Sequence, residues 1–418
     1  MNDPELLHDR LESLLLYPYI FKSSVGLAFA QALAHRCKAK GGLPPSPKDY
    51  GSWFYQLALQ SYSWRQWIER QIQLEPNPVA IALQRQLILS SSLQEAARRD
   101  LETLEAIATL GPSLICPPQM PSGEAINDCN EDGFFHTDQS WPQQLPRLCQ
   151  HYQKHGTGII AQHLALRWTE GHLVGIQDND PIQLQELVGY ERQKARICRN
   201  TESLLDGFAA LNVLLYGARG TGKSALVKAL VNDYGDRGLR LVELTKADLI
   251  YLPQAVQAVR QAPQKFIFFV DDLSFEEDEE SYKALKVVLE GNLTARPPNV
   301  VVYATSNRRH LIREFFADRP RPSDADEIQS WDTVQEKLSL SDRFGLSLTF
   351  EPANQDTYLR IVFHLAQMHQ LAVEPDALEF RALQWATQQN GRSGRTARQF
   401  IQALRADLNR PEPEGRFV

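Results

Sequence analysis

The residues Gly217-Ala218-Arg219-Gly220-Thr221-Gly222-Lys223-Ser224 carry the pattern G-x-x-x-x-G-K-[ST]. Such a set holds phosphate. Glycines let the backbone close around phosphate oxygens, the N–H groups of a following helix converge on them, and the lysine adds a point charge near the β- and γ-phosphates. The cradle runs from Gly217 to Ala225, and the Ser224 hydroxyl is placed to ligand Mg²⁺. A second set sits where the apolar run Lys265-Phe266-Ile267-Phe268-Phe269-Val270 ends in Asp271-Asp272. Two adjacent carboxylates at a buried strand end are costly without a cation, so Asp271 is the expected partner of the same Mg²⁺, directly or through water. A third residue, Asn307, follows Val300-Val301-Val302-Tyr303-Ala304-Thr305-Ser306. Its amide can hydrogen-bond a terminal phosphate or an attacking water.

These groups act together only if strands and helices bring them to one edge. Asn212 to Tyr216 reads as the strand feeding the glycine loop, and Ala225 to Leu230 as part of the helix leaving it. Leu239 to Glu243, Lys265 to Val270, Val300 to Thr305 and Leu346 to Phe350 read as further strands, with Leu252 to Val259 as an intervening helix. Near-continuous apolar runs between helices fit a parallel sheet covered on both faces. Leu187 to Lys194 opens a helix that reaches Leu205, and Val188 with Gly189 is a candidate contact for a nucleobase. Beyond a polar, proline-rich insert from Asp318 to Asp332, the segments Thr357 to His369, Asp376 to Gln388 and Thr396 to Leu408 read as a small helical bundle.

The 418 residues exceed one ordinary core and suggest two or three domains. Hydrophobic content of 43% and charged content of 23% are those of a globular protein. Residues 1 to 110 read as an all-α domain: Asp3-Pro4 starts a helix, others run through Val25 to Cys37 and through Trp53, Leu57, Trp64, Trp67 and Ile68, and a longer one carries Leu93 to Ala108. The tryptophans are expected in an ordinary core rather than on a docking surface. Residues 111 to 160 collect Pro, Gly, Asn and Asp and read as an irregular linker. His163 to Thr169 and His172 to Ile176 then read as short strands, or a strand and a helix, leading into the α/β domain. Five cysteines, with no C-x-x-C pair, read as reduced thiols. The acidic start Met1-Asn2-Asp3-Pro4-Glu5 lacks the basic region of a secretory signal, and no apolar run reaches membrane-spanning length, so a cytoplasmic location is expected.

With these pieces in order, the chain from about Leu187 to Leu408 resembles an AAA+ ATPase module. The runs FFVDDLSFE, VYATSNRRHL, EKLSLSDRFGL and SGRTARQF look like those of a bacterial AAA+ family catalogued only as a domain of unknown function. The resemblance implies a five-stranded parallel sheet over residues 161 to 352, a helical lid over 353 to 418, and ATP with Mg²⁺ bound between subunits of an oligomer. Carried over by residue, Lys223 and Ser224 match Walker A, Asp271 matches the Walker B metal carboxylate, and Asn307 matches sensor 1. Arg343 matches an arginine finger given by a neighbouring subunit. Arg395 matches sensor 2, with Arg398 one turn later as the alternative. Asp272 departs from the pattern, because most such ATPases carry glutamate there to polarise the attacking water. A carboxylate one methylene shorter sits about 1 Å further back, which slows hydrolysis unless Glu276 or Glu277 substitutes.

The leading expectation is an ATP hydrolase that drives conformational change in a protein client, engaged through the N-terminal helices. The alternative is a slow ATP-dependent assembly switch. A nucleic-acid remodeller or loader is the third reading, resting on Arg392, Arg395, Arg398, Arg405 and Arg410 with Arg308 and Arg309. It is not favoured, because the net charge is -7 and no helix-turn-helix or aromatic stacking platform is present in the sequence.

Overall fold

The computed structural model describes residues 3–38, 45–85, 87–120, 133–274, 280–290, 297–307, 343–389 and 391–409. The chain divides into two units, Met1–Gln162 with Gln261–Pro263, and His163–Arg260 with Gln264–Val418.

The first unit is helical: α1 (Pro4–Glu12), α2 (Ser24–Lys38), α3 (Pro47–Ala58), α4 (Trp64–Leu74), α5 (Pro78–Gln84), α6 (Ser91–Ile115), α7 (Leu145–His155) and the single turn α8 (Ile159–Gln162). Asp3 caps α1 with Pro4 in its first turn, as the sequence suggests. The single helix expected through Trp53 and Trp64 is instead two. The left-handed Ser61 (φ 58°) breaks it, and Ser63 with Gln66 forms a capping box that starts α4. Trp53, Trp64 and Trp67 are buried in the core rather than displayed, with Trp64 and Trp67 stacked at 5.2 Å.

The expected linker over 111–160 is replaced in its described part by packed structure. Helix α6 continues through Gly111 and Pro112 to Ile115: a proline is tolerated near a helix end, and the glycine leaves room for the Phe29 ring, which a Cβ at Gly111 would meet at 2.7 Å. Phe135 stacks on Trp141 at 4.6 Å, and the buried Tyr152 of α7 donates its hydroxyl to Ile72 O at 2.5 Å. Aromatic anchors, not periodicity, hold this stretch.

The second unit contains β1 (Ala165–Thr169), β2 (His172–Ile176), α9 (Glu191–Leu205), β3 (Val213–Gly217), α10 (Lys223–Tyr234), β4 (Leu239–Leu244), α11 (Leu252–Val259), β5 (Lys265–Val270), α12 (Glu280–Glu290), β6 (Val300–Ser306) and β7 (Leu346–Phe350). Three lid helices follow: α13 (Gln355–Met368), α14 (Pro375–Gln388) and α15 (Gly394–Leu408). The sheet order is β2-β1-β4-β5-β6-β3-β7. The five parallel strands of the AAA+ arrangement, β4-β5-β6-β3-β7, are therefore present. The hairpin β1–β2 extends them to seven, because β1 pairs parallel with β4 and antiparallel with β2. Both segments that read as short strands, or a strand and a helix, are strands, and their antiparallel pairing is what the sequence pattern did not supply.

Every residue of β6 is buried, and β5 is buried over Phe266 to Val270, as strands covered on both faces must be. The lid keeps its own core, built on Tyr358, Val362, Ala382, Phe400 and Ile401. Sheet and helices are cross-tied by polar groups. Tyr303 of β6 is hydrogen-bonded by Asn200 and Thr201 of α9, and burial pushes its phenol up to about 12.

Asn212, immediately before β3, accepts the Val302 N–H through Oδ1 at 3.0 Å and the Leu346 N–H through its carbonyl. This one buried residue sets three strands level at their amino ends. We expect Asn212→Leu, which orphans the buried Val302 N–H, to cost about 1–3 kcal/mol, read as a lower urea midpoint at unchanged m-value.

Candidate functional site

The parallel strands deliver their carboxyl ends to one edge. There the β3–α10 loop, the ends of β5 and β6, the start of α9 and the lid enclose a cavity of about 540 Å³. Its size is that of a small-molecule site. Residues from Arg219 to Leu226 form one wall, with Asp271, Asp272, Thr305 and Asn307 beside them.

The loop closes only because of its glycines. Gly217 has φ 140°, and a Cβ there would lie 1.9 Å from the Phe350 carbonyl oxygen. Gly220 has φ 76°, and a Cβ there would meet Ser393 Oγ at 2.9 Å, at the entrance to α15. Gly217 and Ala218 do not line the cavity; their carbonyls accept from Lys223 Nζ at 2.9 and 2.7 Å. Lys223 is buried, and that desolvation lowers its ammonium pKa; Arg219 pushes the same way, while Asp271 and Asp272 pull it back up.

A polar network joins the loop to the two strand ends. Ser224 Oγ donates to Asp271 Oδ1 at 2.6 Å, which brings the two expected metal ligands together. Thr305 Oγ1 donates to the same oxygen at 2.5 Å and accepts from the Asp272 N–H at 2.9 Å. Asn307 Nδ2 donates to Asp272 Oδ1 at 2.5 Å, and its Oδ1 accepts from Lys223 Nζ at 3.4 Å. Asp272 itself sits at φ 51°, a left-handed conformation that aspartate tolerates better than most residues. Serine hydroxyl and aspartate oxygen are hard donors of the kind Mg²⁺ takes, and a positive loop beside them suits a polyphosphate.

At the other end of the cavity the lining is apolar: Leu187, Val188, Tyr190, Phe350, and Ile361 and Leu365 of the lid helix α13. Val188 faces the cavity, while Gly189 (φ 96°) lies against the Thr357 methyl and is not among its lining residues. Lys194 Nζ donates to the carbonyls of Leu184 and Leu187, fixing the turn that carries Val188.

The lid reaches the phosphate wall directly. The Arg395 N–H donates to Gly220 O at 3.2 Å, so the amino end of α15 rests on the loop. Arg395 and Arg398 both line the cavity, and they differ in company. Arg398 pairs with Glu186 at 3.4 Å, whereas Arg395 has no ion-pair partner among the described residues. Arg343 is not brought in. It precedes β7 at the amino end of the strand, while Phe350 at the carboxyl end lines the cavity, a strand length of roughly 16 Å. Glu276 and Glu277 lie outside the described residues, as do Arg308, Arg309, Arg410 and the insert 318–332.

Sequence reasoning missed Thr305, Glu186, Tyr190, Lys194, Ile361 and Leu365. Thr305 had a readable signal, because Thr305-Ser306-Asn307 ends an all-buried strand beside an acid-ended one. Ile361 and Leu365 had none, since their i,i+4 spacing is also that of a helix core.

With the site described, comparison places the chain. The profile of a family described as "Protein of unknown function (DUF815)" matches residues 161–408, more than half of the sequence. No curated protein matches. Among solved structures the chain is similar to the Thermotoga maritima RuvB Holliday junction branch migration motor, at 14% identity and TM-score 0.33 over 54% of this chain and 72% of that one. A single-residue mutant of RuvB gives 16% identity and TM-score 0.37, with the chain spanning 66% of its length and 55% of the chain aligned. A DNA replication initiation factor gives 16% and 0.34 over 54% of this chain and 64% of that one. Likeness this loose carries no inference; the AAA+ fold stands on the strand order, the loop and the lid.

Gly217→Ala should push β7 away from the loop, since both the left-handed backbone and the Phe350 carbonyl oppose a methyl group there. Strain alone is worth about 1–3 kcal/mol. The expected outcome is a lower thermal midpoint together with loss of ADP binding by calorimetry.

Proposed function

Because the chain belongs to the DUF815 family, whose description assigns no activity, we propose from its own site that it is an AAA+ ATPase that binds ATP with Mg²⁺ and hydrolyses it slowly at sites completed between copies. One observation carries this reading: the phosphate loop, the Asp271 and Asp272 carboxylates and the Asn307 amide form one hydrogen-bonded network inside a nucleotide-sized cavity.

The cradle Gly220 to Ser224 would hold the β- and γ-phosphates through backbone N–H groups, with Lys223 exchanging its loop carbonyls for phosphate oxygens. Ser224 and Asp271 would hold Mg²⁺, which offsets charge on the phosphates when bound. Asp272 accepts the proton of the attacking water, and Asn307 keeps that carboxylate aimed. Val188, Tyr190, Ile361 and Leu365 receive the base. Arg395, which has no acidic partner among the described residues, is the lid residue available to the γ-phosphate, while Arg398 is held by Glu186. Arg343 does not line its own cavity; its match to an arginine finger assigns it to a neighbouring copy's site, which makes a homo-oligomer part of the proposal. The helical unit is the proposed contact for a protein client. No helix among the described residues is long and apolar enough to cross a membrane.

A slow assembly switch is the second reading. It is favoured by the short Asp272 side chain and by the mutual satisfaction of Lys223, Asn307 and Asp272. Nucleic-acid remodelling gains nothing here, because Arg395 and Arg398 line the cavity instead of forming an outer basic patch.

The test is ATP turnover per subunit against protein concentration, with Mg²⁺ and with Lys223→Ala as the blank. Specific activity should climb with concentration, and Arg343→Ala should keep ATP binding while losing about 10³-fold or more of the turnover. Unchanged hydrolysis in the Arg343 variant would remove the finger assignment. Turnover at the blank's level with ATP still bound would select the switch.

A further inference from the structure

We infer that Thr305 is a positioning residue, one hydroxyl that sets both acidic side chains of the site: the carboxylate that holds the metal and the backbone of the carboxylate that faces water. The inference rests on the ATP and Mg²⁺ reading above and assigns to Thr305 a role in its metal step.

The direction of each hydrogen bond is fixed by chemistry. The Asp272 backbone nitrogen can only donate, so Thr305 Oγ1 accepts there at 2.9 Å. The Thr305 proton is then free for the one acceptor in reach, Asp271 Oδ1 at 2.5 Å. A hydroxyl has one proton and two lone pairs, and these two bonds define its orientation. Asp271 Oδ1 thereby collects three donors: Ser224 Oγ at 2.6 Å, Thr305 Oγ1, and the Asp272 N–H at 3.2 Å. All of that satisfaction falls on Oδ1. Asp271 Oδ2 has no hydrogen-bond partner among the described residues, and it is the oxygen that would serve Mg²⁺ or its water.

The bond to Asp272 has a separate consequence. Asp272 occupies a left-handed backbone conformation, which costs energy for any residue with a side chain. Thr305 accepts its N–H and so holds the turn that presents the Asp272 carboxylate to Asn307. The same short segment of β6 grips the β5 exit twice more, through Leu273 N–H to Thr305 O at 2.7 Å and Ser306 Oγ to Leu273 O at 2.8 Å. Thr305 is buried, and the backbone clasp remains when its hydroxyl is removed. Valine, with the same shape, therefore separates hydrogen bonding from packing.

The test uses the full-length chain with Thr305→Val and Thr305→Ser, and Thr305→Ala in place of valine should that variant fail to fold. ADP affinity is measured by calorimetry in EDTA and across an Mg²⁺ titration, and thermal midpoints are recorded. Partners of ligating groups commonly shift metal affinity by about 10- to 100-fold. The valine variant should need about that much more Mg²⁺ for half-maximal enhancement of ADP binding, while its affinity in EDTA stays within about twofold of the wild type. Serine, which keeps the hydroxyl and loses the methyl, should restore the wild-type Mg²⁺ requirement. A valine variant that is folded with an unchanged Mg²⁺ requirement overturns the inference, as does a serine variant shifted as far as valine. Failure of the parent reading looks different: the wild-type chain would bind no ADP in either buffer, or would bind it with no response to Mg²⁺.

Discussion

The parallel register between β5 and β6, in which Val270 faces Ala304, is the constraint on which the site depends. Because the strands run the same way, their next residues emerge level with each other, and Asp271 meets Thr305 by geometry rather than by loop design. The register of β3 against β6, Tyr216 opposite Ser306, then places the start of the glycine loop beside both. A slip of one residue would turn each of these side chains to the other face. Burial on both faces prevents that slip, since β6 has no position at which a polar residue could be exchanged for an apolar one without cost.

That arrangement explains how a buried lysine is tolerated. Lys223 loses hydration, and burial alone would favour its neutral form. Two loop carbonyls and the Asn307 amide take its donors, and the nearby carboxylates favour its charge. The lysine is thereby pre-positioned. Phosphate oxygens entering the cradle would replace carbonyls by charged acceptors, which make stronger hydrogen bonds than neutral ones. Any gain on binding such a ligand would come from that exchange. Asn307 shares its amide between Lys223 and Asp272, so a shift of the lysine toward a phosphate would disturb the bond that aims the Asp272 carboxylate.

Much of this was legible in the sequence, and the parts that were not share a physical cause. The glycine loop and Asp271 could be read because phosphate and metal chemistry demand fixed residue types at fixed spacing. Asn307 was readable as a polar end to an apolar strand. The strands β3 to β7 were readable because burial on both faces leaves an apolar run. By contrast, β1 and the edge strand β2 could be read only as short strands or a strand and a helix, because their short, weak alternation does not say what they pair with. The stretch from Phe135 to Tyr152 joins the helical core through isolated aromatic anchors, which have no period for a pattern to detect. Thr305 shows a different limit. Its place at the polar end of an apolar strand was readable, but its role comes from a cross-strand neighbour 34 positions away, which the local sequence does not name.

The lid extends the same logic beyond the sheet. The amino end of α15 is bonded to Gly220 O, so the helix that carries Arg395 and Arg398 is referenced to the phosphate loop itself. One turn separates the two arginines, and the fold gives them different electrostatic settings. Arg398 faces the Glu186 carboxylate, which lines the cavity near the apolar end. Arg395 stands over the loop without an acidic partner among the described residues. An anion arriving at the loop therefore has one arginine available at once, and a second that must first leave a carboxylate. Partly exposed ion pairs of this kind are weak, on the order of 0–1 kcal/mol. The Glu186–Arg398 pair is thus too weak to keep a charged ligand from drawing Arg398 away, and α15, bonded to the loop, packs against α13, whose Ile361 and Leu365 line the apolar end of the cavity.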